Sequence, residues 1–138
     1  MSDRIFIDSN ILVYAYQQND LHKQKQSRDI LFQEADDDAI VLSTQTLGEF
    51  SNVLARNRIK IDTIEKYFKE ICKTFNIVTI KQKTLSDAYR LLKKYSLSWW
   101  DSVIVATALE NKCNLLYSED FSHKLVIDNK LTVINPFL

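Results

Sequence analysis

Four acidic side chains lie where they could share one reaction centre, and they are Asp8, Glu49, Asp101 and Asp120. Each lies at or just beyond the end of an apolar, strand-like run, or near the start of an adjoining helical segment. Carboxylates that converge without a nearby Lys or Arg raise each other's pKa unless a cation neutralises them. Mg²⁺ prefers oxygen ligands and links a few carboxylates to phosphate oxygens. The pattern therefore indicates phosphodiester chemistry at a Mg²⁺ centre.

Each acid taken alone also has a simpler interpretation. An Asp after a strand, such as Asp8, is a common turn or cap residue. Glu49 fits a solvated helical charge, although it borders an apolar stripe, and Asp101 is favoured by the dipole of the helix that it opens. Glu119 and Asp120 are adjacent, and we expect one of them to point away from the site.

The chain alternates between short apolar runs and segments with helical periodicity. We expect strands over 4–8, 39–43, 76–80, 114–118 and 131–134, and helices over 11–16, 22–35, 44–56, 62–73, 84–95 and 98–111. Parallel strands need crossover connections, so this order predicts an α/β fold with three layers, α/β/α, around a five-stranded, mainly parallel sheet. In such sheets the site lies beyond the carboxyl ends of the strands, where the strand order reverses.

Several helix starts carry capping signals. Asp62 with Glu65 and Ser98 with Asp101 have capping-box spacing, and Thr84 can cap the helix that follows it. In the helix after Asp62, the side chains expected to point inward are Ile64, Phe68 and Ile71.

Composition limits the possible functions. The length of 138 residues predicts one domain, over 1–138. A single Gly excludes glycine-rich phosphate loops, and with them Rossmann and P-loop nucleotide sites. Cys72 and Cys113 are far apart in apolar segments, which favours buried thiols in the reducing cytoplasm. The N-terminus lacks a signal-peptide layout, and no apolar run approaches the roughly 18 residues of a membrane span, so we expect no membrane association.

The overall charge is balanced, with 18 basic and 18 acidic residues, but one segment is basic. Between Arg56 and Lys94 there are eleven basic and four acidic residues, a net charge of +7. This segment could bind RNA phosphates or could simply be solvated helix surface. Trp99 and Trp100 could likewise stack on unpaired bases or pack as core or dimer contacts.

The chain resembles the PIN domain family, and in particular the single-domain VapC-type toxins. The resemblance runs from Ile5 to Pro136 and is carried by four segments: Ile5-Phe-Ile-Asp8-Ser-Asn10, Leu47-Gly-Glu-Phe50, Trp99-Trp-Asp101-Ser-Val-Ile-Val-Ala106, and Leu116-Tyr-Ser118-Glu-Asp120. It implies a sheet ordered 3-2-1-4-5, which makes the first and fourth strands neighbours and brings Asp8 near Asp120.

The resemblance also implies an activity, that of a metal-dependent endoribonuclease. The matching residues Asp8, Glu49, Asp101 and Asp120 would hold one or two Mg²⁺ or Mn²⁺ ions, and Asn10 and Ser118 would assist by hydrogen bonds. It further implies a cognate antitoxin, a homodimer and an RNA substrate, with transfer RNA as the first candidate.

Rival assignments fit less well. A dehalogenase-like phosphotransferase needs an acid where Asn10 stands, and a receiver domain needs an Asp after the third strand, where Lys81-Gln-Lys83 follows. A PIN-like module that binds RNA or protein without cutting stays open as the alternative.

Overall fold

Strands and helices alternate along most of the described chain, residues 3–138 of a computed structural model. The strands are β1 (Ile5–Ile7), β2 (Ile40–Ser43), β3 (Asn76–Val78), β4 (Leu115–Tyr117), β5 (Val126–Ile127) and β6 (Leu131–Ile134). The helices are α1 (Ser9–Tyr16), α2 (Leu21–Asp29), α3 (Thr44–Arg56), α4 (Ile61–Thr74), α5 (Gln82–Tyr95) and α6 (Trp99–Glu110). A π-helical turn, Ile30–Glu34, continues α2, and a 3₁₀ turn, Asp37–Ala39, precedes β2. Met1 and Ser2 lie outside the described residues. They belong to the expected domain and to the N-terminal stretch in which no signal peptide was expected.

The sheet has the order β3-β2-β1-β4-β6-β5. The pairs β1–β2, β1–β4, β2–β3 and β4–β6 are parallel. The expected α/β class and the order of the five predicted strands are therefore confirmed, with β6 as the fifth predicted strand. The strand order reverses between β1 and β4, so their carboxyl ends meet at the switch point of the sheet.

Two apolar cores lie on the two faces of the sheet, because side chains alternate along each strand. Ile5 and Ile7 of β1 face the core shared with α1, α3 and α4. Phe6 faces the opposite core, shared with α5 and α6. This alternation makes the expected three layers and buries nearly all of β1 and β2.

One strand was not predicted. β5 pairs antiparallel with β6 and extends the sheet from five strands to six. It has only two residues, too few for a periodic pattern. The sequence nevertheless held a signal, the pair Asp128-Asn129, because tight hairpin turns favour Asp and Asn at positions with positive φ. In the structure both residues have positive φ, 53° and 55°.

The helix starts follow the predictions in part. Ser98 caps α6 by accepting a hydrogen bond from the Asp101 backbone N–H at 3.2 Å, as expected. The predicted caps at Asp62 and Thr84 are wrong, since α4 begins after Lys60 and α5 begins after Lys81, with Thr84 as its third residue. Asp62 remains in the first turn, where the helix dipole stabilises a negative charge.

Two expected burials are wrong, both in α4. Its inward face is centred on Ile64, Tyr67 and Ile71, and Tyr67 packs against Tyr16. Phe68 lies beside this stripe and is 39% exposed, and Cys72 lies on the outer side of the helix. Cys113 is buried as expected, and both thiols are free. No helix within residues 3–138 has the length and apolar character that a bilayer span requires.

Candidate active site

Asp8 is placed at the centre of the carboxyl edge by the pairing of β1 with β4. Ile7 lies opposite Tyr117, and the Asp8 backbone N–H donates to the Tyr117 carbonyl at 3.0 Å. Asp8 then caps α1, with one carboxylate oxygen accepting from the Ser9 N–H at 2.7 Å. The Asp8 residue is only 2% exposed, so it is a buried carboxyl group at the switch point.

Ser118 connects Asp8 to the loop that follows β4. Its hydroxyl donates to Asp8 Oδ2 at 2.6 Å and accepts from the Asp120 backbone N–H at 3.1 Å. The Asn10 Nδ2 group lies at 3.5 Å from the same hydroxyl. Ser118 is fully buried, so these bonds fix its orientation.

Asn10 reaches across from α1 to Asp120. Its Nδ2 donates to Asp120 Oδ2 at 3.1 Å, which aligns the two side chains at the edge of the sheet. Its Oδ1 is buried and has no hydrogen-bond partner among the described residues. A buried carbonyl oxygen without a partner is costly unless something else binds it.

Glu49 and Asp101 approach from α3 and α6. Asp101 is the third residue of α6, and Glu49 lies in the second turn of α3, which starts directly after β2. Both side chains are half-buried. Glu49 Oε1 is buried without a hydrogen-bond partner in the described part of the chain.

Three of the four carboxyl groups, those of Asp8, Glu49 and Asp101, have raised pKa values. Burial raises the pKa of Asp8 to about 7, against the lowering effect of the Ser118 and Ser9 hydrogen bonds, and the charges of Asp120 and Glu49 raise it further. Burial also raises the pKa of Glu49, where Asp101 and Asp120 add to the effect, and the pKa of Asp101, where Asp120 adds to it. The four acids therefore form one electrostatically coupled group.

This group has no basic counter-charge. None of the four acids forms a salt bridge with a Lys or Arg of residues 3–138. The group is also looser than the sequence suggested. Over the same residues, no three acidic, histidine or cysteine side chains converge closely enough to hold a metal ion on their own.

Glu119 is turned away from this group. Lys23 Nζ binds Glu119 Oε2 at 2.9 Å, and the Tyr14 hydroxyl donates to Glu119 Oε1 at 2.5 Å. Asp120 therefore faces the other acids, while Glu119 is neutralised on the side of α1 and α2. The six residues singled out in the sequence all lie at one edge of the sheet, and they are Asp8, Asn10, Glu49, Asp101, Ser118 and Asp120.

The basic segment 56–94 does not form one surface. Its helices α4 and α5 contribute to different cores and so lie on opposite faces of the sheet. Arg90 and Lys94 are paired with Asp128, at 2.8 and 3.3 Å. Only part of the +7 charge is therefore available to a single bound phosphate chain.

The structure also separates the two tryptophans and adds a residue that sequence reasoning missed. Trp99 packs on Tyr89 with ring centroids 4.8 Å apart, whereas Trp100 is 57% exposed. Gln45 lies one helical turn before Glu49, and its Nε2 donates to the Trp100 carbonyl at 3.3 Å. The i, i+4 spacing to Glu49 was the one available signal for Gln45.

Solved structures share this fold. A toxin–antitoxin complex from Klebsiella pneumoniae matches with a TM-score of 0.72 and 20% identity, covering 96% of this chain and 97% of the other. VapC20 of Mycobacterium tuberculosis, a Sarcin-Ricin loop cleaving toxin, matches with a TM-score of 0.70 and 16% identity over 86% and 92% of the two chains. VapBC2 of Rickettsia felis, bound to a DNA fragment from its promoter, matches with a TM-score of 0.65 and 16% identity over 94% and 96%.

No curated protein matches the chain significantly in sequence. The sequence model of the PIN domain, however, matches residues 5–126, which include β1 through the start of β5 and all four acids. The fold agrees, since the strand order and the position of the acids at the switch point are those that the PIN resemblance implied. The chain therefore belongs to the PIN domain family.

Proposed function

We propose that this protein is a metal-dependent endoribonuclease and the toxin of a toxin–antitoxin pair. The observation that carries the proposal is the coupled group of four carboxyl groups at the sheet's switch point, which lacks a basic counter-charge in the described chain. Such a group is stable when a cation neutralises it. Membership of the PIN family supports the nuclease class.

The residues present fit a divalent ion. Among the buried side-chain oxygens that lack a hydrogen-bond partner in the described residues, Asn10 Oδ1 and Glu49 Oε1 belong to the candidate site, and all the available metal donors there are oxygens. Asp8, Asp101 and Asp120 would hold Mg²⁺ or Mn²⁺ directly or through water. Because no three of the acids converge tightly, most of the ligand shell would be water, as Mg²⁺ prefers.

A bound divalent ion lowers the pKa of water and offsets negative charge on the scissile phosphate. Glu49 would orient the attacking water and accept its proton, or bind a second ion. Its pKa is raised, which makes it a stronger base than an ordinary carboxylate. Ser118 holds the Asp8 carboxylate in place, and Asn10 does the same for Asp120. The water oxygen bonds to phosphorus, its proton passes to Glu49, and the bond to the 3′ oxygen breaks. The 3′ oxygen takes a proton from solvent and leaves as a hydroxyl, and Glu49 returns its proton to solvent.

The alternative is a PIN-like module that binds RNA or a protein without cleavage. The retained acids argue against it, because their mutual repulsion and burial destabilise a pure scaffold and contribute nothing to its binding. A metal-dependent nuclease, in contrast, uses grouped acids to bind its metal ion and to activate water.

The partners that we propose are an RNA substrate, transfer RNA being the first candidate, a cognate antitoxin and a second copy of the chain. The Klebsiella pneumoniae neighbour is a toxin–antitoxin complex, and the Mycobacterium tuberculosis neighbour is a Sarcin-Ricin loop cleaving toxin, which supports the antitoxin and the RNA target. The free thiols of Cys72 and Cys113 fit the reducing cytoplasm that we propose as the location.

The test compares Asp120→Asn with its neighbour Glu119→Gln. With Mn²⁺ or Mg²⁺, wild-type protein should cleave RNA and stop when chelator is added. Asp120→Asn should lose at least a hundredfold in cleavage rate and most of its thermal shift with Mn²⁺, because it removes a carboxylate from the coupled group. Glu119→Gln should keep both responses, since Glu119 pairs with Lys23 and Tyr14.

Cleavage that survives Asp120→Asn would reveal a contaminating nuclease. A wild-type protein that neither responds to Mn²⁺ nor cuts RNA would favour the non-catalytic module. Equal losses in both variants would contradict the assignment of Asp120, rather than Glu119, to the site.

A further inference from the structure

Gly48 is the only glycine in the chain, and the fold does not explain it. It lies inside α3, where glycine is disfavoured against alanine by about fivefold. Its φ is not positive, so it does not need glycine's conformational freedom. A Cβ added at this position would meet no atom of the described residues within 4 Å. Neither the backbone conformation nor the internal packing therefore requires glycine at this position.

The open space beside Gly48 belongs to a small cavity, here called the Gly48 notch. It has a volume of about 270 Å³ and is lined by Gln45, Gly48, Glu49 and Trp100. The Gln45 hydrogen bond to the Trp100 carbonyl links the two helices that form it. Glu49 is both a wall of the notch and a member of the acidic group, so the notch adjoins the candidate active site.

The shape and chemistry of the notch favour a single flat ring. Trp100 is a largely exposed aromatic residue of the lining, and Gly48 has no side chain to cover the α3 backbone beside it. The volume is close to the lower limit of ordinary ligand pockets, about 300 Å³, so it suits one ring system better than a peptide segment. Aromatic side chains beside a phosphate-binding site commonly stack on unpaired bases.

We propose that the Gly48 notch binds one unpaired nucleobase of the RNA, next to the phosphate held at the acidic group. The base stacks on the Trp100 indole while its edge passes over the Gly48 backbone. This inference rests on the proposed ribonuclease function and specifies its substrate class. Bases in a duplex are already stacked and paired, so the cleaved RNA must be single-stranded or looped at this nucleotide.

The first test is Gly48→Ala, with Asn52→Ala as the matched control on the exposed side of α3. Both changes replace a poorer helix former by alanine. Gly48→Ala should raise the melting temperature by about 2 to 5 °C and keep the Mn²⁺ response. It should nevertheless lower kcat/KM for RNA cleavage about tenfold, mainly through KM, because the added methyl group keeps a bound base from passing close to the α3 backbone. Asn52→Ala should leave the cleavage kinetics unchanged.

The second test uses Trp100→Ala and Trp100→Phe in the Asp8→Asn background, which holds RNA without cutting it. The probe is a labelled single-stranded RNA oligonucleotide that wild-type protein cleaves, intact or with one abasic nucleotide beside the cleavage site. Trp100→Ala should weaken binding of the intact RNA about tenfold to a hundredfold, and Trp100→Phe should restore most of it. With the abasic RNA, the effect of Trp100→Ala should vanish, as coupled partners require.

A Gly48→Ala protein that is more stable and cleaves RNA like wild type would overturn the proposal and leave the notch to a protein partner. A Trp100→Ala defect that persists with abasic RNA would also overturn it. A wild-type protein that responds to Mn²⁺ but neither binds nor cuts RNA would instead remove the ribonuclease function, and this inference with it.

Discussion

Ser118 holds the acidic group together at the level of single residues. Its hydroxyl is the donor to buried Asp8 and the acceptor for the backbone of Asp120, so one small side chain orients two of the four acids. Removing a hydrogen-bond donor from a buried carboxylate costs about 1.5 to 3 kcal/mol. The effect should appear mainly as weaker metal binding, because the Ser118 hydrogen bond also lowers the pKa of Asp8.

Ser118→Ala should therefore weaken Mn²⁺ binding about tenfold, whereas Ser118→Thr, which keeps the hydroxyl, should retain most of it. Isothermal titration with Mn²⁺ at pH 7 measures the difference. Ser122→Ala, an exposed serine of the same loop, is the control and should bind like wild type. If the alanine and threonine variants at 118 bind Mn²⁺ equally well, the hydroxyl has no part in orienting Asp8.

At the level of elements, Asp128 fastens the β5–β6 turn to α5. It accepts hydrogen bonds from Arg90 at 2.8 Å, Tyr95 at 3.1 Å and Lys94 at 3.3 Å. The Arg90 guanidinium lowers the pKa of Asp128 to about 2, and Tyr95 and Lys94 contribute to the same effect. A folded-state pKa below the ordinary value of 3.8 means that this contribution to stability exists above pH 4 and is lost as pH falls toward 2.

Asp128→Asn should lower the free energy of unfolding at pH 7 by on the order of 1 kcal/mol, since solvent screens most of the pair. Asn tolerates the positive φ of this position, so the change tests the charge and leaves the turn intact. Urea unfolding between pH 3 and 7 measures the gap in free energy of unfolding between wild type and Asp128→Asn. This gap should narrow as the pH falls. A gap that is constant across this range would mean that the ion pair does not stabilise the turn.

At the level of the whole molecule, the buried acid at the switch point makes stability depend on pH and metal. The pKa of Asp8 in the folded state is about 7, above its ordinary value of 3.8. Without metal, the contribution of Asp8 to the free energy of unfolding should therefore be most favourable below pH 4. This free energy should fall by on the order of 4 kcal/mol as pH rises through 7, because the buried carboxyl group must ionise. A bound cation at pH 8 should offset part of this loss, adding about 2.7 kcal/mol at a hundredfold excess over Kd.

The expected result is that Mn²⁺ narrows the difference in stability between wild type and Asp8→Asn at pH 8. Without metal at pH 8, Asp8→Asn should be more stable than wild type, because it removes a buried charge; with millimolar Mn²⁺, wild type should gain and the variant should not. Denaturant unfolding at pH 5 and pH 8, with Mn²⁺ or chelator, measures all four conditions. Identical pH profiles for wild type and Asp8→Asn would show that Asp8 carries no penalty, contrary to its burial.

The layers, the order of the five predicted strands and the edge of the sheet that carries the site could all be predicted from the sequence. Apolar runs and helical periodicity are local properties, and parallel strands joined by crossovers bring their carboxyl ends to one rim. Asp8 and Asp101 could be located from this pattern because each stands at the boundary of a local element.

Which side chains meet at that rim, and how closely, depends on contacts between distant parts of the chain. Glu119 and Asp120 are equivalent in sequence, and the choice between them depends on Lys23 and Tyr14, 96 and 105 residues away along the chain. The Gly48 notch likewise exists only because α3 and α6 come together. Long-range contacts of this kind leave no local periodic trace, because they depend on how the elements pack and not on the conformation of any one of them.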